Sequence, residues 1–214
     1  MLSFETITSF SIVAFLISIS PGPSNLYIMA RSMAQGPSAG YAAAGGMAVG
    51  SFVYVVLTVL GIATLFKYSP LAYTVLKLCG AGYLVYLGYQ YFEVKAYSDE
   101  QKPDVEVLNT HKILKQSLIV ELTNPKAALF FVALLPQFVD EPQGQVAIQL
   151  LLLGAIYSLI AFLCDVCVAT ASGRLGHWLA QHPQSVVWQD RVAGVILIAL
   201  GIFICYETAV TLFL

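Results

Sequence analysis

Six long apolar stretches dominate the sequence, and they limit what the chain can fold into. A helix of about 20 apolar residues is long enough to cross a lipid bilayer. Hydrophobic residues make up 58% of the chain and charged residues only 10%, whereas a soluble domain carries about 25% charged residues. The sequence therefore predicts an all-α membrane protein with six transmembrane helices. They are predicted at residues 4–30, 39–66, 71–92, 113–136, 146–171 and 192–214.

The longest polar connector, residues 93–112, divides one membrane domain, 1–214, into halves of three stretches each. This connector is charged and lacks a hydrophobic pattern, so we expect an exposed loop. Lys and Arg concentrate on the cytoplasmic side of membrane proteins. Seven of them lie in or beside the connectors after the first, third and fifth stretches, against Lys67 alone on the opposite side. That distribution predicts a cytoplasmic 93–112 loop and periplasmic termini.

Two of the apolar stretches are interrupted by residues that disfavour a helix. The first contains Ser20-Pro21-Gly22-Pro23-Ser24-Asn25, and the fourth contains Thr123-Asn124-Pro125-Lys126. Proline removes a backbone hydrogen bond, and glycine lowers helix stability. Inside a membrane, the backbone groups released by such breaks need partners in the protein or in cavity water. The alternative interpretation is a pair of proline kinks that only shape helix packing.

The two breaks occupy matching positions in the two halves. Pro21 precedes Gly50 by 29 residues, and Pro125 precedes Gly154 by 29 residues, with an offset of 104 residues between the pairs. Halves with an odd number of spans must be inverted relative to each other. Inverted repeats whose broken helices meet near the midplane are typical of secondary transporters, and the breaks mark the binding site. The spacing therefore predicts two inverted three-helix repeats, in residues 1–92 and 113–214.

Asp165 lies inside the fifth apolar stretch, and the sequence places no second acidic residue clearly as deep. A carboxylate in a membrane span faces a cavity or a partner and commonly serves a proton or ion pathway. The alternative is a structural ion pair with Lys126 or Lys77, which also lie within predicted spans.

Other classes of function are less well supported by the sequence. The net charge of −2 favours no nucleic-acid partner. Cys164-x-x-Cys167 is interpreted as two ordinary apolar cysteines, because no His or further Cys lies near it, and no metal or other cofactor is expected. No His lies within a predicted span to activate a serine, so intramembrane proteolysis is poorly supported. We expect a transporter and not an enzyme. Metal-cation efflux, which would need several His, Cys or carboxylate ligands, and a membrane thiol-redox conduit remain as alternatives.

At these residues the sequence resembles the LysE/RhtB family of bacterial amino-acid exporters, the LysE-type translocators, over nearly its whole length. Asp165 falls where family members carry an acidic residue, although Cys164 and Cys167 beside it depart from the family pattern. The other residues that carry the resemblance are Ser20-Pro21-Gly22-Pro23, Gly45-Gly46-x-x-x-Gly50, Leu76-Lys77-x-x-Gly80-Ala81-x-Tyr83-Leu84-x-Tyr86-Leu87-Gly88, Asn124-Pro125-Lys126 and Leu135-Pro136-Gln137-Phe138.

The resemblance implies a six-helix, multi-pass exporter in the bacterial inner membrane, driven by proton antiport. It implies an amino acid as substrate, the proton and membrane lipid as partners, and assembly as a homodimer. Because Asp165 is the one acidic residue placed deep, we expect neutral amino acids, of the threonine, homoserine or leucine type, rather than dibasic ones.

A zwitterionic substrate needs one site for its carboxylate and another for its ammonium group. Backbone amides at the breaks are predicted to bind the carboxylate, because helix N-termini favour anions. Lys126 would add positive charge, and Asp165 would bind the ammonium group or exchange a proton after release from Lys126. The predicted substrate-binding residues are Pro21, Gly22, Pro23, Ser24, Asn25, Asn124, Pro125 and Lys126, and the predicted proton-coupling residues are Asp165 and Lys126.

Overall fold

The structure is a computed structural model that describes residues 2–20, 22–93 and 107–181, with scattered positions between 188 and 210. Within these residues the chain is helical and contains no strand. The helices are α1 (Phe4–Ile19), α2 (Pro23–Gln35), α3 (Pro37–Tyr68), α4 (Pro70–Glu93), α5 (Thr110–Leu122), α6 (Pro125–Leu129) and α7 (Val146–Gln181). A π-helical turn at Phe130–Leu134 and a 3₁₀ turn at Leu135–Phe138 continue α6.

The first predicted break separates α1 from α2. Helix α1 ends at Ile19, and the chain resumes a helix at Pro23, the first position of α2. Proline suits a first helical position because the N–H that it lacks would have no intrahelical acceptor. The axes of α1 and α2 differ by 53°. Pro21, which was predicted to contribute to this break, lies outside the described residues.

The second predicted break separates α5 from α6 and has similar geometry. Helix α5 ends at Leu122, and the side-chain oxygen of Asn124 accepts a hydrogen bond of 3.0 Å from the backbone N–H of Lys126. Asn124 therefore caps α6, which begins at Pro125. The chain bends by 50° between α5 and the segment Pro125–Phe138. Both predicted breaks thus divide a long apolar segment into two helices.

Helices α3 and α7 contain the longest apolar spans among the described residues. Pro37–Ile62 and Val146–Ser172 are each long and apolar enough to cross a membrane, and the two bent pairs raise the number of candidate spans to four. Helix α4 coincides with the third predicted stretch, and the described positions from 191 to 210 are helical. The all-helical class is confirmed, while six spans in two inverted repeats remain a prediction.

Glycines on α3 allow α5 to approach closely. A Cβ atom at Gly50 would lie 2.8 Å from both Cβ and Cγ of Glu121, and a Cβ at Gly46 would collide with the Ser117 hydroxyl. Small residues let helix backbones approach in this way. At Gly45 the nearest atom would be 3.5 Å away, at ordinary contact distance. Gly46 and Gly50 therefore bring the end of α5 against α3 and bury Glu121.

Candidate functional site

The side chain of Lys126 joins the second helix break to the first. Its Nζ donates a hydrogen bond of 2.6 Å to the backbone carbonyl of Ser20, at the end of α1. Such terminal carbonyls lack an intrahelical donor. The Lys126 side chain also passes Gly22, where a Cβ atom would lie 3.4 Å from Cδ and 3.6 Å from Nζ. Lys126 therefore lies where the two breaks meet, in contact with the residue 104 positions before it.

A second set of hydrogen bonds joins the breaks through Ser24 and Glu121. The Ser24 hydroxyl donates to one carboxylate oxygen of Glu121 at 2.6 Å and accepts from the Asn124 side-chain amide at 2.8 Å. The hydroxyl of Ser51 on α3 donates to the other Glu121 oxygen at 3.0 Å. Ser24, Asn124 and Glu121 are all buried. This network connects α2, α3, α5 and the cap of α6.

Glu121 is the functional candidate that the sequence-based prediction missed. Its side chain is only 5% exposed, close to the 7% exposure of Asp165. The expectation that Asp165 is the only deep acidic residue is therefore wrong. Ile113, Ser117 and Glu121, the buried residues of α5, are spaced four residues apart on one helix face. Only Ile113 of the three is apolar, so hydrophobic periodicity alone does not identify Glu121 as a residue facing the protein interior.

Asp165 lies on α7, where its side chain is buried. Glu121 and Lys126 both exert an electrostatic influence on it, so two carboxyl groups and one ammonium group share this region. The predicted ion pair between Asp165 and Lys126 stays a prediction. The side chain of Lys77, the other predicted partner, lies outside the described side chains.

The remaining predicted site residues shape the first break. The Asn25 side-chain amide donates to the Ser18 carbonyl at 3.1 Å, and therefore bonds back across the break to α1. Gly22 precedes α2 as its N-cap and has an extended backbone with φ of −162°. The structure thus brings Gly22, Ser24 and Asn25 together with Asn124 and Lys126, while Pro21 lies outside the described residues.

A polar layer lies beyond the first break along α2. Arg31 is buried, and its guanidinium group donates to the side-chain oxygen of Gln116 at 3.1 Å. The same oxygen accepts the Tyr27 hydroxyl at 3.0 Å. Gln35 exchanges two hydrogen bonds with the backbone of Leu108, of 2.7 Å and 3.0 Å. This layer holds the end of α2 against the start of α5.

An aromatic layer lies on the opposite side of the breaks. Phe130 stacks on Tyr157 with ring centroids 3.7 Å apart, and Phe10 packs edge-on against Phe138 at 5.1 Å. Phe10 precedes the first break and Phe130 follows the second. The charged groups around Lys126 are therefore flanked by a polar layer on one side and an aromatic layer on the other.

The two cysteines on either side of Asp165 are free thiols, and Cys167 is exposed while Cys164 is half-buried. Within the described part of the chain, no three His, Cys, Asp or Glu residues come close enough to bind one metal ion. The metal-efflux alternative therefore gains no support from the described residues.

Comparison with known proteins assigns the chain to a family of membrane proteins. The family model described as LysE type translocator matches residues 15–208, so the chain belongs to the LysE-type translocators and is a multi-pass membrane protein. The resemblance inferred from the sequence is confirmed.

Several proteins are similar to the chain over most of their length. An uncharacterized membrane protein of Pseudomonas aeruginosa is 30% identical, covering 92% of each chain. The homoserine/homoserine lactone efflux protein of Salmonella typhimurium is 30% identical over 94% of this chain and 96% of its own. The leucine efflux protein of the same organism is 32% identical over 75% of each. No solved structure gives a significant match.

Proposed function

We propose that the chain exports neutral amino acids from the cytoplasm across the bacterial inner membrane, in exchange for protons. The observation that carries the proposal is the meeting of the two helix breaks around Lys126, Glu121 and Asp165. Family membership supports transport. Two relatives named for efflux of homoserine or homoserine lactone and of leucine support an uncharged substrate side chain.

The proposed site has complementary parts for the two charged ends of a zwitterion. Lys126 would bind the substrate carboxylate after leaving the Ser20 carbonyl. The first-turn amides of α2, at Ser24 and Asn25, lack intrahelical acceptors and would add hydrogen bonds to that carboxylate. Asp165 would bind the ammonium group and exchange a proton when the substrate leaves. A proton and a neutral amino acid would thereby use the same carboxylate in turn.

The preference for neutral amino acids rests on the relatives rather than on the count of deep acidic residues. The count favoured neutral substrates only if Asp165 was the single buried acidic residue. Because Glu121 is also buried, the count no longer supports that preference. Glu121 already accepts two hydroxyl hydrogen bonds. Its oxygens are therefore less accessible to a second substrate ammonium group, which is compatible with a substrate that carries one.

We also propose the six-span architecture with two inverted halves, in which the helical positions 191–210 belong to the sixth span. The similar bends of 53° and 50° at the two breaks support it. The contact between Gly22 and Lys126 supports it as well, because these positions correspond under the 104-residue offset and would meet near a pseudo-twofold axis. Periplasmic termini and a homodimer remain predictions of the same scheme.

Export from intact cells tests the proposed activity. Cells that lack their own exporters are loaded with single amino acids, as dipeptides, with and without this chain, and efflux is measured in the presence and absence of an uncoupler. We expect faster efflux of one or a few neutral amino acids and loss of that increase with the uncoupler. Efflux of lysine or arginine alone would contradict the neutral preference, and insensitivity to the uncoupler would contradict proton antiport.

A further inference from the structure

The side chains at the two helix breaks are buried, so the proposed site is closed on both sides in the structure. Ser20 is 1% exposed, and Ser24 and Asn124 are 6% and 5% exposed. The polar layer covers the breaks toward the end of α2, and the aromatic layer covers them on the opposite side. Access to the breaks therefore requires movement, and secondary transporters gain it by opening one side at a time.

The polar layer joins α2 to α5 through the ends of long side chains. Tyr27 and Arg31 both donate to the side-chain oxygen of Gln116, at 3.0 Å and 3.1 Å. We propose that this layer is the cytoplasmic gate of the transporter, and that it opens when Tyr27 and Arg31 leave Gln116 and α2 moves away from α5. The inference rests on the proposed function for the substrate that passes the gate.

The predicted orientation places the polar layer on the cytoplasmic side. Gln35, at the end of α2, exchanges two hydrogen bonds with the backbone of Leu108, of 2.7 Å and 3.0 Å. Leu108 belongs to the connector 93–112, which the distribution of Lys and Arg predicts to be cytoplasmic. A substrate that leaves the cytoplasm would therefore meet the polar layer before it reaches Lys126.

Close backbone packing holds α3 to both α5 and α7. A Cβ atom at Gly46 would collide with the backbone carbonyl of Leu114 on α5, and a Cβ at Gly154 on α7 would lie 2.9 Å from Cγ2 of Val55 on α3. Small residues at such positions let helices pack at backbone distance. The polar layer depends instead on the ends of side chains, which can change rotamer without separating closely packed backbones. The polar layer is therefore easier to open than either contact of α3.

Helix α2 lies between two points at which the chain changes direction. The first break precedes Pro23, and Gly36 follows Gln35 with a φ of 85°, in the left-handed region that favours glycine. Beside this second turn, a Cβ atom at Gly40 would collide with the hydroxyl of Ser32, so the end of α2 lies close against α3. Helix α2 can thus tilt between its two turns while its end stays on α3.

The polar layer and the aromatic layer differ in what their opening exposes. Gln116 is exposed, so water can replace the hydrogen bonds of the polar layer. Phe10 and Phe130 of the aromatic layer are 0% and 2% exposed, and separating them would bring apolar surface into contact with water. The polar layer therefore opens more easily, and the aromatic layer stays closed while a substrate enters from the cytoplasm.

The variant Ser20→Cys reports the opening of the polar layer without any substrate. Ser20 binds Lys126 through its backbone carbonyl, which the variant keeps. The change is made in the full chain with its four native cysteines replaced by serine, and membrane vesicles of either orientation are treated with a membrane-impermeant maleimide. We expect the maleimide to react about tenfold faster from the cytoplasmic face than from the periplasmic face. Equal rates from the two faces, or a faster reaction from the periplasmic face, would overturn the gate.

Two changes at Gln116 should shift this labelling in opposite directions. Gln116→Leu removes the acceptor of Tyr27 and Arg31, so labelling of the Ser20→Cys reporter from the cytoplasmic face should rise by about threefold to tenfold. Gln116→Glu places a carboxylate opposite Arg31, and because charge-assisted hydrogen bonds are stronger, labelling should fall by a similar factor.

Thr170→Val is the matched control at another exposed contact between helices. It removes the 3.0 Å hydrogen bond between Tyr41 on α3 and Thr170 on α7, so it should change the labelling rate by less than about twofold. The gate would be refuted if Gln116→Leu and Gln116→Glu shifted the rate in the same direction. It would also be refuted if neither changed the rate more than Thr170→Val does.

The labelling assay contains no amino acid, so its result is independent of the proposed function. If the expected order of labelling rates appears while wild type moves no amino acid, the proposed function fails and the gate stands. If wild type exports an amino acid and the labelling rate ignores both changes at Gln116, the gate fails and the proposed function stands.

Discussion

Replacing Gly50 by alanine tests whether the close approach of α3 and α5 positions Glu121. The added Cβ would lie 2.8 Å from Cβ and Cγ of Glu121, whereas ordinary contacts begin at 3.4 Å. Glu121 must therefore move by about 0.6 Å, the difference between these two distances. Its hydrogen bonds of 2.6 Å to Ser24 and 3.0 Å to Ser51 would be strained or broken.

The expected cost follows from two opposing terms. Overpacking a close interface costs about 1–3 kcal/mol, while alanine in a helix interior gains about 0.5–1 kcal/mol over glycine. The two ranges leave a net loss of about 0–2.5 kcal/mol, and we expect about 1 kcal/mol in the free energy of unfolding, measured on purified protein in detergent. We also expect export to fall by about tenfold, since at least one charged hydrogen bond to Glu121 is weakened.

Gly45→Ala is the matched control on the same helix. A Cβ there would lie 3.5 Å from Leu114 Cδ2, at ordinary contact distance, so export should be unchanged and stability unchanged or slightly higher. If Gly50→Ala and Gly45→Ala behave alike in both assays, the conclusion that Gly50 positions Glu121 is refuted.

Three further changes test other parts of the structure. Asp165→Asn should leave a folded protein whose export no longer responds to an uncoupler; normal, uncoupler-sensitive export would eliminate Asp165 from proton coupling. Phe130→Ala should lower the free energy of unfolding by about 3–5 kcal/mol because Phe130 is buried and stacked on Tyr157, while Phe4→Ala, which removes an exposed side chain, should change it by less than about 0.5 kcal/mol. Asn109→Ala removes the cap of α5 and should cost about 1 kcal/mol in the same unfolding assay; an unchanged free energy would show that this cap contributes nothing.

The two helix breaks could be predicted from the sequence because they depend on local chemistry. Proline and glycine disfavour a continuous helix wherever they occur in a span. In the structure α1 ends at Ile19 before α2 begins at Pro23, and α5 ends at Leu122 before α6 begins at Pro125. Lys126 was also identified, since a cation within an apolar stretch is conspicuous. The sequence could not predict its hydrogen-bond partner, the Ser20 carbonyl, because that residue lies 106 positions away in the chain.

Glu121 shows why the site was only partly predicted. It lies at the end of α5, near Lys115 and Gln116, so its polarity resembles that of a helix end near water. Its burial depends on contacts with Gly50 and Ser51, which are brought to it only by the packing of α3 against α5. Hydrophobic periodicity does not reveal a buried glutamate, because the pattern is built from the positions of apolar residues only.

The most direct test of the central claim is transport by the purified full chain in sealed vesicles. Leucine or homoserine is placed at equal concentration on both sides, and a pH gradient is imposed across the membrane. Proton antiport predicts that the amino acid accumulates on the more acidic side and that the gradient decays faster than in vesicles without amino acid. Proton antiport would be contradicted if the amino acid stayed at equal concentration on both sides and the pH gradient decayed at the same rate with and without it.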